Sequence, residues 1–214
     1  MLKVWGRRSS SNVQALMWCI GELELDYERT DAGFTYGLVN TPEYLDMNPN
    51  ATVPTVMDDD GPPLWETGAI CRYLASRYGD AQFWPDDPRQ RVLVDRWAEW
   101  AKINIAHNFT SPVFWRVART APSKRDLPAI DEALARLHQF LAIADATLAS
   151  SRYLAGEHFT LADIQFGHSL YRYYDIEIAR APLANLARYY ETLRSRPAFR
   201  EHVMVSYEEL RVVD

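Results

Sequence analysis

Apolar and polar positions follow two different rhythms along this chain, and the change comes near residue 80. Leu2 to Trp5 reads as a buried strand. Asn12 to Ile20 then carries Val13, Leu16, Met17 and Ile20 at i, i+3, i+4 and i+7, one face of a helix, with Gly21 where a C-cap is expected. Leu25 to Thr30 reads as a second strand and Pro42 to Met47 as a short helix opening on its proline. Thr55 to Asp58 reads as a third strand running into the turn formers Asp59-Asp60-Gly61-Pro62-Pro63. Leu64-Trp65 makes a brief fourth strand. From Glu66 to Tyr78 the residues Ala69, Ile70, Tyr73 and Leu74 share one helical face that ends at Gly79. The predicted order is βαβαββα, an α/β layer.

Residues 80–88, GDAQFWPDDP with the glycine before them, are rich in turn formers and have no period, which predicts a linker between a domain at 1–79 and a second at 89–214. Beyond it strand signals vanish. Helical spacing runs from Arg89 to about Phe109, Ala129 to Ala149, Leu161 to Tyr173 and Leu183 to Arg194, with Pro112, Pro122, Pro128, Pro182 and Pro197 near the ends. Thr160-Leu161-Ala162-Asp163 has the form of a capping box, with Phe159 as its staple residue, and is expected to serve folding rather than chemistry.

Composition adjusts this picture in a few places. With 48% hydrophobic and 24% charged residues over 214 positions the chain is expected to fold around a sizeable core. Its net charge of −6 argues against nucleic acid or an anionic membrane as partner, since either wants a basic face. Residues 1–79 hold 11 acidic against 6 basic side chains and the remainder 18 against 17, which fits a boundary near residue 80. Cys19 and Cys71 have neither CxxC nor metal spacing and fall on apolar helix faces, so buried thiols are expected rather than a redox pair. The first residues carry charges and no apolar leader, and the stretch after Arg7-Arg8 is short for an export signal; a cytoplasmic protein is expected.

Three short segments have the right residue types for chemistry. Ser9-Ser10-Ser11-Asn12 precedes the first helix, where free amides and the helix dipole favour an anion and a hydroxyl can donate to a thiolate. In Asn48-Pro49-Asn50-Ala51-Thr52-Val53-Pro54, a cis bond before Pro54 would turn the Val53 N–H and C=O outward to pair with an extended peptide. At Glu66-Thr67-Gly68 a carboxylate, a hydroxyl and helix N-terminal amides together suit the head of a zwitterionic amino acid. Each segment alone has a plainer reading: helix caps at the serines and at Thr67, a proline opening a strand at Pro54. Hydroxyl, peptide clamp and amino-acid clamp in one βαβαββα domain are more specific together than apart.

These motifs carry a resemblance. Ser-x-Asn before a helix, Asn-Pro-x-x-x-Val-Pro, Glu-Thr-Gly-Ala-Ile-x-x-Tyr-Leu, a linker, then Phe-Thr-Leu-Ala-Asp resemble, over nearly the whole chain, the cytosolic glutathione transferases. With no tyrosine or cysteine in the loop after Trp5-Gly6, the likeness is to the serine-type members, theta-like or the nu-like bacterial ones. The resemblance implies a thioredoxin-like N-terminal domain that binds glutathione as co-substrate and an all-helical C-terminal domain that supplies the electrophile pocket, with no metal. It assigns Ser10 to the thiolate, with Ser11 and Ser9 as alternatives and Asn12 beside it. Val53 and cis Pro54 fall to the cysteinyl part of glutathione, Glu66 and Thr67 to its γ-glutamyl end. Thr52 stands where Lys or Gln often meets the glycine end. The segment with His107, Phe109, Val113 and Trp115 becomes the candidate pocket for a small hydrophobic electrophile. A homodimer is implied, with Arg72, Arg77, Trp97 and Trp100 as candidate contacts. Besides conjugation, the nu-like likeness leaves open glutathione-dependent reduction of disulfides or peroxides, and a carrier or assembly module without turnover stands as a third reading.

Overall fold

A computed structural model describes all residues 1–214. Four strands form one sheet in the order β2-β1-β3-β4, where β1 is Leu2–Trp5, β2 Tyr27–Thr30, β3 Thr55–Asp58 and β4 Leu64–Trp65. β1 runs parallel to β2 and antiparallel to β3, and β4 is antiparallel to β3. Leu2, Val4 and Val56 point into the core. Helices α1 (Ser11–Glu22), α2 (Pro42–Met47) and α3 (Thr67–Tyr78) complete the βαβαββα unit; α1 and α3 pack together and α1 buries eight consecutive residues, Val13 to Ile20. Cys19 and Cys71 meet there, fully buried, and contact with Cys71, then burial, pushes the Cys19 thiol well above its usual range.

From Pro88 the chain is helical. A single helix, α4, spans residues 88–118, ordinary over Pro88–Trp100 but widened to π-type turns at Ala101–Ala106 and Thr110–Trp115. α5 (Leu127–Leu148) and α6 (Leu161–Gly167) follow, with further helices at Leu170–Asp175, Ala184–Arg194 and Pro197–His202. No helix is long and apolar enough to cross a membrane. One hydrophobic cluster runs through both halves, with Trp18 of α1 lying against Phe159 and Phe199.

Some expectations are corrected. Gly21 is not a C-cap: α1 continues through it and is capped at Leu23. Its bareness serves a close approach, since a Cβ there would lie 2.8 Å from His202 and 3.0 Å from the Ala198 Cβ. Pro112 does not end a helix but sits inside the second widened stretch of α4, where a residue without an N–H disturbs the ordinary ladder. The run from Leu161 to Tyr173 breaks after Gly167, and a Cβ at that glycine would come 2.5 Å from Leu193 and 2.9 Å from Trp18.

The capping box at α6 is present: Asp163 accepts from Thr160 N at 2.9 Å and Thr160 Oγ1 at 3.2 Å, and also from Leu154 N at 3.2 Å and Tyr189 Oη at 2.8 Å. The carboxyl group is fully buried, and burial pushes its pKa up to about 6 against the pull of these donors.

Candidate functional site

The sheet register gathers the three sequence motifs at one end of the sheet. Trp5, the last residue of β1, pairs with Thr55, the first of β3, and Thr55 pairs on its other side with Trp65, the last of β4. The serine loop, Val53-Pro54 and Glu66 therefore leave the sheet side by side. A Cβ built on Gly6 would lie 3.4 Å from the Val53 Cβ and 2.5 Å from Val13, so the first loop runs close under α1. Arg29 holds that loop by donating to the Gly6 carbonyl at 2.6 Å while paired with Asp31.

At the first element Ser10 is the N-cap of α1, and its hydroxyl makes no capping bond. The amides of Ser11, Asn12 and Val13 find no backbone acceptor, which leaves a set of donors and the positive end of a 12-residue helix. The Ser9 hydroxyl is already committed, donating to Glu209, and the Ser9 carbonyl accepts from Arg172. Ser11 lines the neighbouring cleft, as does Asn12, whose Oδ1 accepts from Lys102 Nζ at 3.2 Å.

At the second element the peptide bond before Pro54 is cis. Buried Asn48 and Tyr44 both donate to the Thr52 carbonyl, at 3.0 and 2.7 Å, and reach Thr55 Oγ1 as well. That anchoring explains the Asn-Pro spacing ahead of the strand. The Thr52 side chain is exposed, and neither the N–H nor the C=O of Val53 has a partner in the chain.

At the third element Glu66 is exposed, caps α3 without a side-chain bond, and has φ 68°, a left-handed backbone that a side chain rarely adopts. Such outliers gather where the side chain or backbone is used. Thr67 is buried, and the amides of Thr67, Gly68 and Ala69 have no backbone acceptor.

A cleft of about 560 Å³ opens between the start of α1 and the widened part of α4, with Lys102, His107 and Trp115 on its α4 side. Of the four pocket residues read from the sequence, His107 and Trp115 line it. Phe109 and Val113 do not: both are buried, Phe109 with its ring 6.1 Å from Phe114 and 6.2 Å from Tyr173, because each stands two residues from its cleft-lining neighbour and so on another side of the helix. The candidate dimer contacts are partly engaged within the chain. Arg72 pairs with Asp95 at 2.7 Å and Glu99 at 2.8 Å, Arg77 with Asp58 at 3.2 Å, and Trp97 packs edge-on to Trp100 against the core. Sequence reasoning missed Lys102, Arg172 and Glu209 altogether. Nothing local marks them; each reaches the loop from 90 or more positions away.

The sheet domain and the helical half that follows it match known proteins. Family models described as the glutathione S-transferase N-terminal and C-terminal domains match residues 1–76 and 105–197. The chain belongs to the glutathione S-transferase family. It is 36% identical to glutathione S-transferase GstB of Escherichia coli K12, over 96% of this chain and 99% of that one. A theta class glutathione S-transferase from Xanthomonas axonopodis pv. citri, solved with glutathione bound, superposes with a TM-score of 0.90 at 40% identity, covering 96% of this chain and 98% of that one. A delta-class transferase from Nilaparvata lugens gives 0.85 at 25% identity over 95% and 93%. As a member of this family the chain is a glutathione transferase with a thioredoxin-like first domain and a helical second one.

Proposed function

We propose that this transferase lays glutathione across the end of the sheet, with its γ-glutamyl group on Glu66 and Thr67, its cysteinyl backbone on the N–H and C=O of Val53, and its thiol at the start of α1 beside Ser10. The convergence of these three elements through the Trp5-Thr55-Trp65 pairing carries the reading. Thr52 borders the place of the glycine end. A free thiol with a pKa near ~8.5 is only a few per cent ionised at neutral pH; the Ser10 hydroxyl and the unpaired amides of α1 favour the charged form. The thiolate sulfur then bonds to the electrophilic carbon of a small acceptor in the α4 cleft, and the leaving group departs with the bonding pair. Asn12, held by Lys102, borders both halves of that site.

A homodimer working in the cytoplasm belongs to the same proposal. Trp97, half-buried beside Trp100, and the Arg72 cluster are its candidate contacts.

Calorimetry with glutathione tests the site. Wild type should bind, and Glu66→Ala should weaken binding roughly tenfold, as expected when a charged acceptor is removed. Unchanged binding in the variant would take Glu66 out of the site, and no binding by wild type would overturn the whole assignment. Turnover of an aryl halide, with none of a small disulfide or a peroxide, separates conjugation from reduction and from a silent carrier.

A further inference from the structure

Next to Trp115, a wall of the α4 cleft, cationic side chains gather in a chain of net charge −6. Arg7, in the loop leading to the serines, and Arg119, just past the end of α4, both lie over the ring of Phe34, at 5.4 and 5.2 Å from its centroid. Arg119 also lies 5.0 Å from the centroid of Trp115, a wall of the cleft. Neither guanidinium has a carboxylate within ion-pair distance, and Arg7 Nε is buried without an acceptor. Arg172, buried behind the Ser9 carbonyl, likewise has an unpartnered Nε, and Lys102 adds a fourth cation at Asn12. The Glu209 carboxylate faces this group and favours the charged form of Arg7, while its two oxygens accept from the hydroxyls of Ser9 and Tyr36.

Like charges brought together in a partly dry cleft repel, and the arrangement gains most from an anion supplied from outside. A guanidinium offers a planar fork matched to a carboxylate. The rings of Phe34 and Trp115, 45% and 43% exposed, add flat apolar faces beside it. We propose that the acceptor substrate of this transferase is a flat electrophile bearing a carboxylate, whose anion docks on Arg7 and Arg119 while its ring lies against Phe34 and Trp115. The inference rests on the transferase reading above and specifies its substrate class. A second source of the same chemistry is the glycine carboxylate of glutathione, because Arg7 Nη1 and Val53 Cγ1 both lie 3.4 Å from where a Cβ on Gly33 would stand.

The test compares 4-chloro-3-nitrobenzoate with its methyl ester. In both, the thiolate adds to the chlorine-bearing ring carbon, the C–Cl bond breaks and chloride leaves with the electron pair, so the carboxylate is a handle and not a reactant. With each kcat/KM divided by the uncatalysed rate constant, wild type should favour the acid by roughly tenfold or more. Arg119→Gln and Arg7→Gln should each cost the acid at least about fivefold more than the ester, with Arg119→Lys keeping part of the preference. Absence of any wild-type preference for the acid, with the ester still turned over, overturns this inference and leaves the transferase reading standing. A rise in the KM for glutathione in Arg7→Gln, with the acid-to-ester ratio unchanged, overturns it in favour of the glycine carboxylate. Turnover of neither compound, while a neutral aryl halide without the carboxyl group is conjugated, also overturns the inference and leaves the transferase reading standing.

Discussion

Ser10→Ala should slow conjugation at neutral pH about ten- to a hundredfold while glutathione still binds with near wild-type affinity. The expectation follows from the position of the hydroxyl: it caps α1, makes no bond of its own to the helix, and stands among unpaired amides. A donor to a charged partner contributes roughly 1.5 to 3 kcal/mol, and that stabilisation matters most once the thiol has ionised. Loss of the donor should therefore raise the apparent pKa of bound glutathione, and the rate deficit should shrink as the pH is raised. Val53, Glu66 and Thr67 remain to hold the tripeptide, so calorimetry should change little. Ser9→Ala and Ser11→Ala are the controls. Ser9 donates to Glu209, so its removal should disturb the loop without the pH signature. A shift carried by Ser11→Ala instead would move the assignment by one residue. Wild-type profiles in all three would leave the thiolate to the backbone amides and Asn12.

Asp163→Ala should lower stability by about 3 to 5 kcal/mol, seen as a fall in Tm of roughly 10 °C, with no change in the pH profile of catalysis. Four donors converge on this buried carboxylate from Leu154, Thr160 and Tyr189, and alanine leaves them in the core without an acceptor. The pH dependence has a definite sign. The folded-state pKa, about 6, lies above the unfolded value near ~3.9, so the folded protein holds more proton at this group than the unfolded chain between those values. Its contribution is thus full at the acid end and falls as the pH rises through about 6. Asp163→Ala should flatten that part of the stability curve. An unaltered Tm would show that the donors find other acceptors.

Local patterns carried much of this molecule. Pro42–Met47, Thr55–Asp58 and Leu64–Trp65 lie where propensity and turn chemistry placed them, and the capping box forms as Thr160 and Asp163 predict. Misreadings share one cause, tertiary contact overriding local habit. Gly21 looks like a cap and is a point of close helix approach; Pro112 looks like a terminus and sits within a helix that widens around it. Phe109 and Val113 seemed to belong with His107 and Trp115 because they are near in sequence, but helix phase separates them. The three motifs at the end of the sheet were legible because each is built from neighbours in the chain. Glu209 on Ser9, Arg172 behind it and Arg119 over Phe34 were not, since no periodicity links positions so far apart.

The two wide turns of α4 bear on how such a site can evolve. A π-type turn holds more residues than an α turn, so removing one residue there can restore an ordinary ladder with the helix intact. Because the wide turn already accommodates the extra residue, everything beyond the deletion would keep its orientation relative to the sheet domain. A single codon lost between Thr110 and Trp115 would change which side chains of that turn line the cleft, while Arg119 stayed over Phe34 and α1, Val53 and Glu66 stayed as they were. The fold thus separates inheritance of the proposed glutathione clamps from variation in what they serve, and a change of acceptor lies one small deletion away.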